Sequence, residues 1–202
     1  MDLENIEPGF KHEATDSQSV FRVALNALSY PGRLWTVEAE SGLPGRGHAA
    51  AAKLMLGLLD DDCLVWLSSS LANSDVSSWL RFHTGCQFVR NIALADFVWV
   101  GEGDVMPLLE SMNAGDDEYP DQSATCLIEV SEINTDDGGW YLQGPGIEVT
   151  QMLKVEKKPY DFDVQWSRNH SNFPRGVDIY FISANVIAGL PRTTQLQPAR
   201  KE

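Results

Sequence analysis

The stretch Leu80-Arg81-Phe82-His83-Thr84 sets a guanidinium and an imidazole two residues apart, just ahead of Gly85. Arginine offers a planar fork for phosphate or phosphonate oxygens, and histidine exchanges a proton near neutral pH. Ordinary helix-end chemistry accounts for the same residues: Leu80 and Phe82 pack, Arg81 meets a local carboxylate, and His83 caps the negative end of the helix. Pro191-Arg192-Thr193-Thr194 poses the same choice, between an anion cradle of one fork with two hydroxyls and the exposed end of a strand. Phe173-Pro174-Arg175-Gly176-Val177-Asp178 is a turn that sends Asp178 into a buried strand, where a carboxylate has to be paired or hydrogen-bonded. Gly144-Pro145-Gly146-Ile147 is another turn, its glycines able to take positive φ or to let a ligand approach the backbone. For both turns the alternatives are plain architecture and a docking or ligand loop.

Better-known catalytic patterns are missing. The glycine-rich run Gly42 to Gly47 fits neither the dinucleotide fingerprint nor the P-loop. Ser68-Ser69-Ser70 lacks the flanking glycines of a nucleophile elbow. His12, His48, His83 and His170 are scattered, with no HxxxH or HxH pair to seat a metal. Cys63, Cys86 and Cys126 are odd in number, with no CxxC spacing, so no disulfide framework or structural zinc is indicated. The acidic runs Asp60-Asp61-Asp62, Asp116-Asp117-Glu118 and Asp136-Asp137 stand beside turn-forming residues and read as solvated turns rather than metal sites.

A chain of 202 residues with 43% hydrophobic content can bury a single core without staples. Its formal charge of -14 repels phosphate backbones and anionic lipid surfaces, so neither nucleic acid nor membrane is an expected partner. No leader opens the sequence and no apolar run approaches the roughly 20 residues that span a bilayer. The expectation is a soluble cytoplasmic protein.

The elements that must position these residues follow from periodicity and punctuation. Residues 1–16 are polar and expected to be flexible, as are 195–202, leaving one domain over 17–194. Asp16 or Ser17 caps a helix carrying Val20, Phe21, Ala24, Leu25 and Leu28, ended by Pro31-Gly32. Leu34 to Val37 reads as a strand, Ala49 to Leu59 as a buried helix, and Cys63 to Leu67 as a central strand. Asp75 caps a helix over Val76 to His83, closed by Gly85. Then come a strand Ala95 to Val100, a helix Val105 to Met112, a strand Ala124 to Val130, and a hairpin turning at Asp137-Gly138-Gly139 into Trp140 to Gln143. A helix from Pro159 towards Asn169 precedes two strands, Val177 to Ile182 and Val186 to Leu190, joined tightly at Ser183-Ala184-Asn185. The class is α/β, a three-layer α/β/α arrangement with a mixed sheet and helices on both faces.

Taken in order, Phe21-Arg22, Ser29-Tyr30-Pro31-Gly32, Val65-Trp66-Leu67-Ser68, Leu80 to Thr84, Gly144 to Ile147, Phe173 to Asp178 and Leu190 to Thr194 resemble one family from about Ser17 to Thr194. The family is PhnH, a subunit of the bacterial carbon-phosphorus lyase system for phosphonate use. Leu28 departs from it, standing where relatives often have methionine, and the loops 113–121 and 134–139 carry no family motif. The resemblance implies PhnG-, PhnI-, PhnJ- and PhnK-like partners and a homodimer when isolated. It further implies a part in making ribose 1-alkylphosphonate 5-triphosphate from ATP and an alkylphosphonate, before a radical subunit cleaves the carbon-phosphorus bond. The implied fold is similar to the large domain of type I pyridoxal-phosphate transferases, without the cofactor site. Lys53 lies in an alanine-rich helix and Lys154, Lys157 and Lys158 in a polar stretch, so no cofactor is expected. Two roles stay open: a noncatalytic or co-catalytic subunit, and an enzyme or ligand-binding subunit. In the second, Arg22, Arg81, His83, Asp178, Arg192 and Thr193 are the candidates for an ATP or alkylphosphonate pocket.

Overall fold

The computed structural model describes residues 8–38 and 42–199. A seven-stranded mixed sheet takes the order β1-β10-β9-β5-β4-β2-β3. Its parallel part is β2 (Leu64–Leu67), β3 (Gln87–Phe88), β4 (Phe97–Val100), β5 (Thr125–Glu129) and β9 (Asp178–Ser183). β10 (Val186–Leu190) folds back antiparallel on β9 through Ala184-Asn185, with Ala184 at φ 47°, and β1 (Trp35–Thr36) closes that edge.

Side chains alternate across these strands, so each face has its own core. Val65, Leu67, Trp99, Leu127, Tyr180, Ile182 and Ile187 pack with α1 (Glu13–Ser29), α2 (Ala49–Leu58) and α4 (Val76–Thr84). A four-residue turn of helix, α3 (Ser69–Ala72), leads into α4. Close approach of α1 depends on small residues. A Cβ on Gly189 would lie 2.3 Å from the carbonyl oxygen of Ala27, and the Tyr180 hydroxyl donates to the Ala24 carbonyl at 3.0 Å.

The opposite face departs from the expected layer of helices. Val98, Val100, Cys126, Ile128, Ile179, Phe181, Ala188 and Leu190 are covered by α5 (Phe162–Ser171) and by a second, antiparallel sheet of order β11-β7-β8-β6. Its strands are β6 (Glu132–Asn134), β7 (Trp140–Gln143), β8 (Gln151–Glu156) and β11 (Gln195–Pro198). The turn at Asp137-Gly138 forms, but β6 and β7 do not make the expected hairpin across it. β7 pairs with the first half of β8 and β6 with its second half, so the hairpin runs from β7 to β8 over residues 144–150. Turn residues fix where a chain bends; the buried row Ile133, Trp140, Leu142, Leu153 and Val155 decides what pairs.

Three boundaries differ. α1 begins at Glu13, and Asp16 acts inside it, accepting the His12 backbone N–H at 2.9 Å rather than capping. Gln195–Pro198, expected in the polar tail, pair with β7. The helix expected over Val105 to Met112 shrinks to one 3-10 turn, Leu109–Ser111. A proline at 107 disfavours helical backbone in the residue before it, Val105 is 89% exposed, and the Leu109 N–H donates to the Gln165 side chain at 2.9 Å instead of to a helical carbonyl.

Candidate functional site

Asp178 opens β9, and Leu190 ends β10 opposite Ile179, so Arg192 returns to the same edge of the sheet. There Asp178 accepts the Arg192 backbone N–H at 2.8 Å, Nε at 3.1 Å and Nη2 at 2.6 Å. Arg192 Nη1 donates to the Pro120 carbonyl at 2.6 Å, and the Arg192 carbonyl is bonded by His170 Nδ1 at 2.9 Å. The carboxylate, half-buried rather than fully buried, is paired, as its place in the strand requires. Its partner is the fork of the cradle motif, which therefore grips an internal anion. Thr193 borders an open groove of about 370 Å³ beside this pair.

The other candidates do not join it. Arg22 is exposed on the outer face of α1. Arg81 is exposed on α4 and lies 5.3 Å over the Phe88 ring, with that ring in place of the expected carboxylate. Phe82, expected to pack, is 54% exposed. His83 turns inward against Trp79 and Phe82, with ring centroids at 5.0 and 5.1 Å. Burial, then the charge of Lys53, push its imidazole below its ordinary pKa. Its Nε2 is buried with no hydrogen-bond partner among the described residues. Gly85 closes α4 at φ 76°, as expected, but Asp75 does not cap it: its carboxylate accepts the Gly45 N–H at 2.8 Å.

That contact belongs to a second polar region, at the carboxyl ends of the parallel strands, which the motifs did not reveal. Glu129, 5% exposed at the end of β5, accepts N–H groups from His48 at 2.5 Å, the Trp99 indole at 2.9 Å and Glu102 at 3.2 Å. His48 Nδ1 accepts the Ala184 N–H at 3.0 Å and lies 3.3 Å from the Ile182 carbonyl, while Nε2 lies 3.3 Å from the Glu102 carboxylate. Ser68 donates to Asp104 at 2.5 Å and accepts the Gly101 N–H at 2.9 Å. Open α/β sheets place ligands at this edge, near the point where strand order reverses, here between β2 and β4. Each group named is committed to a neighbour, and together they pin the loops that cross the edge. One signal was present in the sequence: Glu129 ends an apolar run that could bury it only with donors at hand.

A cavity of about 460 Å³ lies elsewhere, between residues 8–12, α1 and β1, with Lys53 in its wall. Lys53 is 5% exposed; it donates to the Gly9 carbonyl and lies 4.8 Å from the Phe10 ring centroid. Lys154 pairs with Glu156 and Lys158 with Asp163, each at 3.0 Å. Among the described residues, no group of three or more His, Cys, Asp or Glu could hold a metal, and no helix is long and apolar enough to cross a membrane. The acidic runs are turns: Asp60 accepts the Asp62 N–H at 3.2 Å, and Asp116 accepts those of Glu118 and Tyr119 at 2.9 and 2.6 Å.

Three of the segments that carried the resemblance, Ser29 to Gly32, Gly144 to Ile147 and Leu190 to Thr194, meet in space. A Cβ on Gly146 would lie 2.0 Å from the Ser29 carbonyl oxygen, one on Gly32 2.5 Å from Leu142, and one on Gly144 2.9 Å from the Thr193 carbonyl oxygen. All three glycines have positive φ, so neither bulk nor another backbone conformation is tolerated there. Thus the turn after α1, the β7–β8 hairpin and the segment after β10 form one backbone contact, next to the Asp178–Arg192 pair.

Comparison with known proteins agrees with that set. Residues 8–197 match the family described as PhnH, bacterial phosphonate metabolism protein. The chain is 31% identical over 190 residues to the alpha-D-ribose 1-methylphosphonate 5-triphosphate synthase subunit PhnH of Rhizobium meliloti (strain 1021), covering 93% of this chain and 94% of that protein. It is 30% identical over 185 residues to the putative C-P lyase subunit protein HtxG of Stutzerimonas stutzeri, covering 91% and 87%. On the match along nearly its whole length, the chain belongs to the PhnH family of bacterial phosphonate metabolism proteins.

Proposed function

We propose that this protein is a subunit of a carbon-phosphorus lyase system. In this reading it acts with PhnG-, PhnI-, PhnJ- and PhnK-like subunits to form ribose 1-alkylphosphonate 5-triphosphate from ATP and an alkylphosphonate. The observation that carries it is the end-to-end match to a subunit named for that synthase. The geometry is in keeping with a role in an assembly. Arg192, Asp178, His48, Glu129, Ser68 and Asp104 are bound to one another or to backbone, while Phe21 and Leu25 stand 45% and 51% exposed on the outer face of α1. Co-expression with the G-, I- and J-like subunits tests it, and a chain that elutes alone under gentle conditions would overturn it. A homodimer in isolation, a cytoplasmic location and a likeness to pyridoxal-phosphate transferase large domains go with this proposal. Three free cysteines support the reducing compartment.

A second reading gives the subunit an anion site of its own; since the candidates Arg22, Arg81, His83, Asp178, Arg192 and Thr193 do not share one cleft and Arg192 is held by Asp178, that site would centre on His83. The buried, unpartnered Nε2 of His83 favours it. Calorimetry and imidazole chemical shifts on adding ATP or methylphosphonate, alone and in the assembly, test it; no heat and no shift in either would remove it.

A further inference from the structure

Beside the Asp178–Arg192 pair lies an open groove whose walls are Pro120, Phe173, Pro174 and Pro191, with Thr193 at one side and Asp121 on its rim. Phe173 is 60% exposed, and Tyr119, next to Pro120, is 47% exposed. Rings of this kind on a rigid frame are what anchoring side chains of a partner use, because little side-chain entropy remains to be lost on binding.

The frame is fixed before any partner arrives. Arg192 ties together β9 through Asp178 and the 120 loop through Pro120. The Gly176 N–H donates to the Ala114 carbonyl at 2.8 Å, joining the 173–176 turn to the start of the acidic loop. The Asn169 side chain, on α5, both donates to and accepts from the backbone of Val177, at 2.9 and 2.8 Å. Asn113 holds the loop's two ends, its amide donating to the Gln122 carbonyl at 2.7 Å.

Charge says what the groove fits. The loop that makes one wall carries Asp116, Asp117, Glu118 and Asp121, all exposed. Against them stands Arg175, whose Nε meets Asp117 at 3.2 Å. Asp178 and Arg192 cancel beneath the groove. The rim is therefore acidic and the walls apolar, a surface complementary to a basic segment with an aliphatic or aromatic anchor. We infer that this groove is the docking site for a basic segment of another subunit of the assembly. The inference rests on the subunit reading above and adds which face of the chain is used and the chemistry of what it meets.

Two variants leave the frame intact. Phe173→Ser removes an exposed anchor; Asp117→Asn/Glu118→Gln/Asp121→Asn removes rim charge while Asp116, which organises the loop, stays. The full-length chain is mixed with the purified remaining subunits, and affinity and association rate are followed from low to physiological salt, with melting curves confirming folding. Phe173→Ser is expected to weaken binding by about 10-fold or more. The charge variant is expected to slow association and flatten its salt dependence. Neutralisation at Asp136 and Asp137, two charges against the rim variant's three, is expected to leave affinity and salt dependence as in the unaltered chain. If the unaltered chain binds and both folded groove variants bind as well as it does, the groove inference is wrong and the subunit reading stands. If the unaltered chain does not bind, the subunit reading fails first. If the groove variants instead break a complex of this chain with itself, sedimentation will show it, the occupant is a second copy, and the basic-segment assignment is overturned.

Discussion

Arg192 and Asp178 form a fork-to-carboxylate pair at 2.6 Å between Nη2 and Oδ2, with side chains 13% and 19% exposed. The backbone N–H of Arg192 joins them, so the pair fixes the path of the chain after β10 as well as its charge. Removing one partner leaves the other charge largely buried. Asp178→Asn and Arg192→Met are each expected to cost about 3–5 kcal/mol in denaturant unfolding, and the double substitution less than their sum. Arg192→Lys keeps the charge and loses the fork, and is expected to fall between. Full additivity would mean that the two side chains do not act together.

Gly189 and Gly138 separate two reasons for glycine. A Cβ at Gly189 would meet the backbone of α1 at Ala27, whereas Gly138 has open space but φ 89°. Gly189→Ala is expected to destabilise by about 1–3 kcal/mol through overpacking. Gly138→Ala is expected to cost about 1–2 kcal/mol through backbone conformation alone. A second-site Ala27→Gly, which leaves the backbone in place, is expected to rescue neither, and thermal melts decide.

Burial and Lys53 depress the His83 pKa below the ordinary value of 6.5. The unfolded chain then binds the proton more readily than the folded one. The contribution of His83 is present in full above about pH 6.5 and is lost as pH falls through the folded pKa. Unfolding free energies of the native chain and His83→Phe, measured between pH 5 and 8, are expected to differ in slope only below that value. An imidazole titrating above 6.5 by NMR would contradict the buried environment.

The three thiols are predicted to react in order of exposure. Burial pushes Cys63 up to about 11, with Asp60 beside it, and raises Cys86 and Cys126 as well. At pH 8 a thiol of that pKa is thiolate only about one part in a thousand. A disulfide reagent is expected to modify Cys63 slowly, and Cys86 and Cys126 only at the unfolding rate. Rapid labelling of Cys126 would show that the core opens locally.

Glu129 accepts three N–H groups, so an amide in its place turns one hydrogen towards a donor. Glu129→Gln is expected to cost about 1–3 kcal/mol and to shift Trp99 fluorescence, since its indole N–H is one of the three. Unchanged emission would place Trp99 outside that network.

The amino-acid sequence by itself determined four of the five strands of the parallel part, β2, β4, β5 and β9, but not the two-residue β3, together with the three helices on one face and α5 on the other, because their periodicity and end signals agree. It also determined the family, because seven weak motifs in one order constrain more than any one of them. The second sheet was only half legible. The alternation of Leu153 and Val155 was there to be read, but a turn such as Asp137-Gly138-Gly139 does not name the strands it serves. Nor does adjacency imply a shared site: Arg81 and His83, two apart on a helix at about 100° per residue, face roughly 160° apart, one on Phe88 and the other towards Lys53. Tertiary structure alone decided that Arg192 finds Asp178, that the glycine turns rest on one another, and that the acidic loop borders an apolar groove. Those are contacts between segments far apart in sequence, and their partners are chosen by sheet order and by which faces must be buried, quantities that no local spacing records.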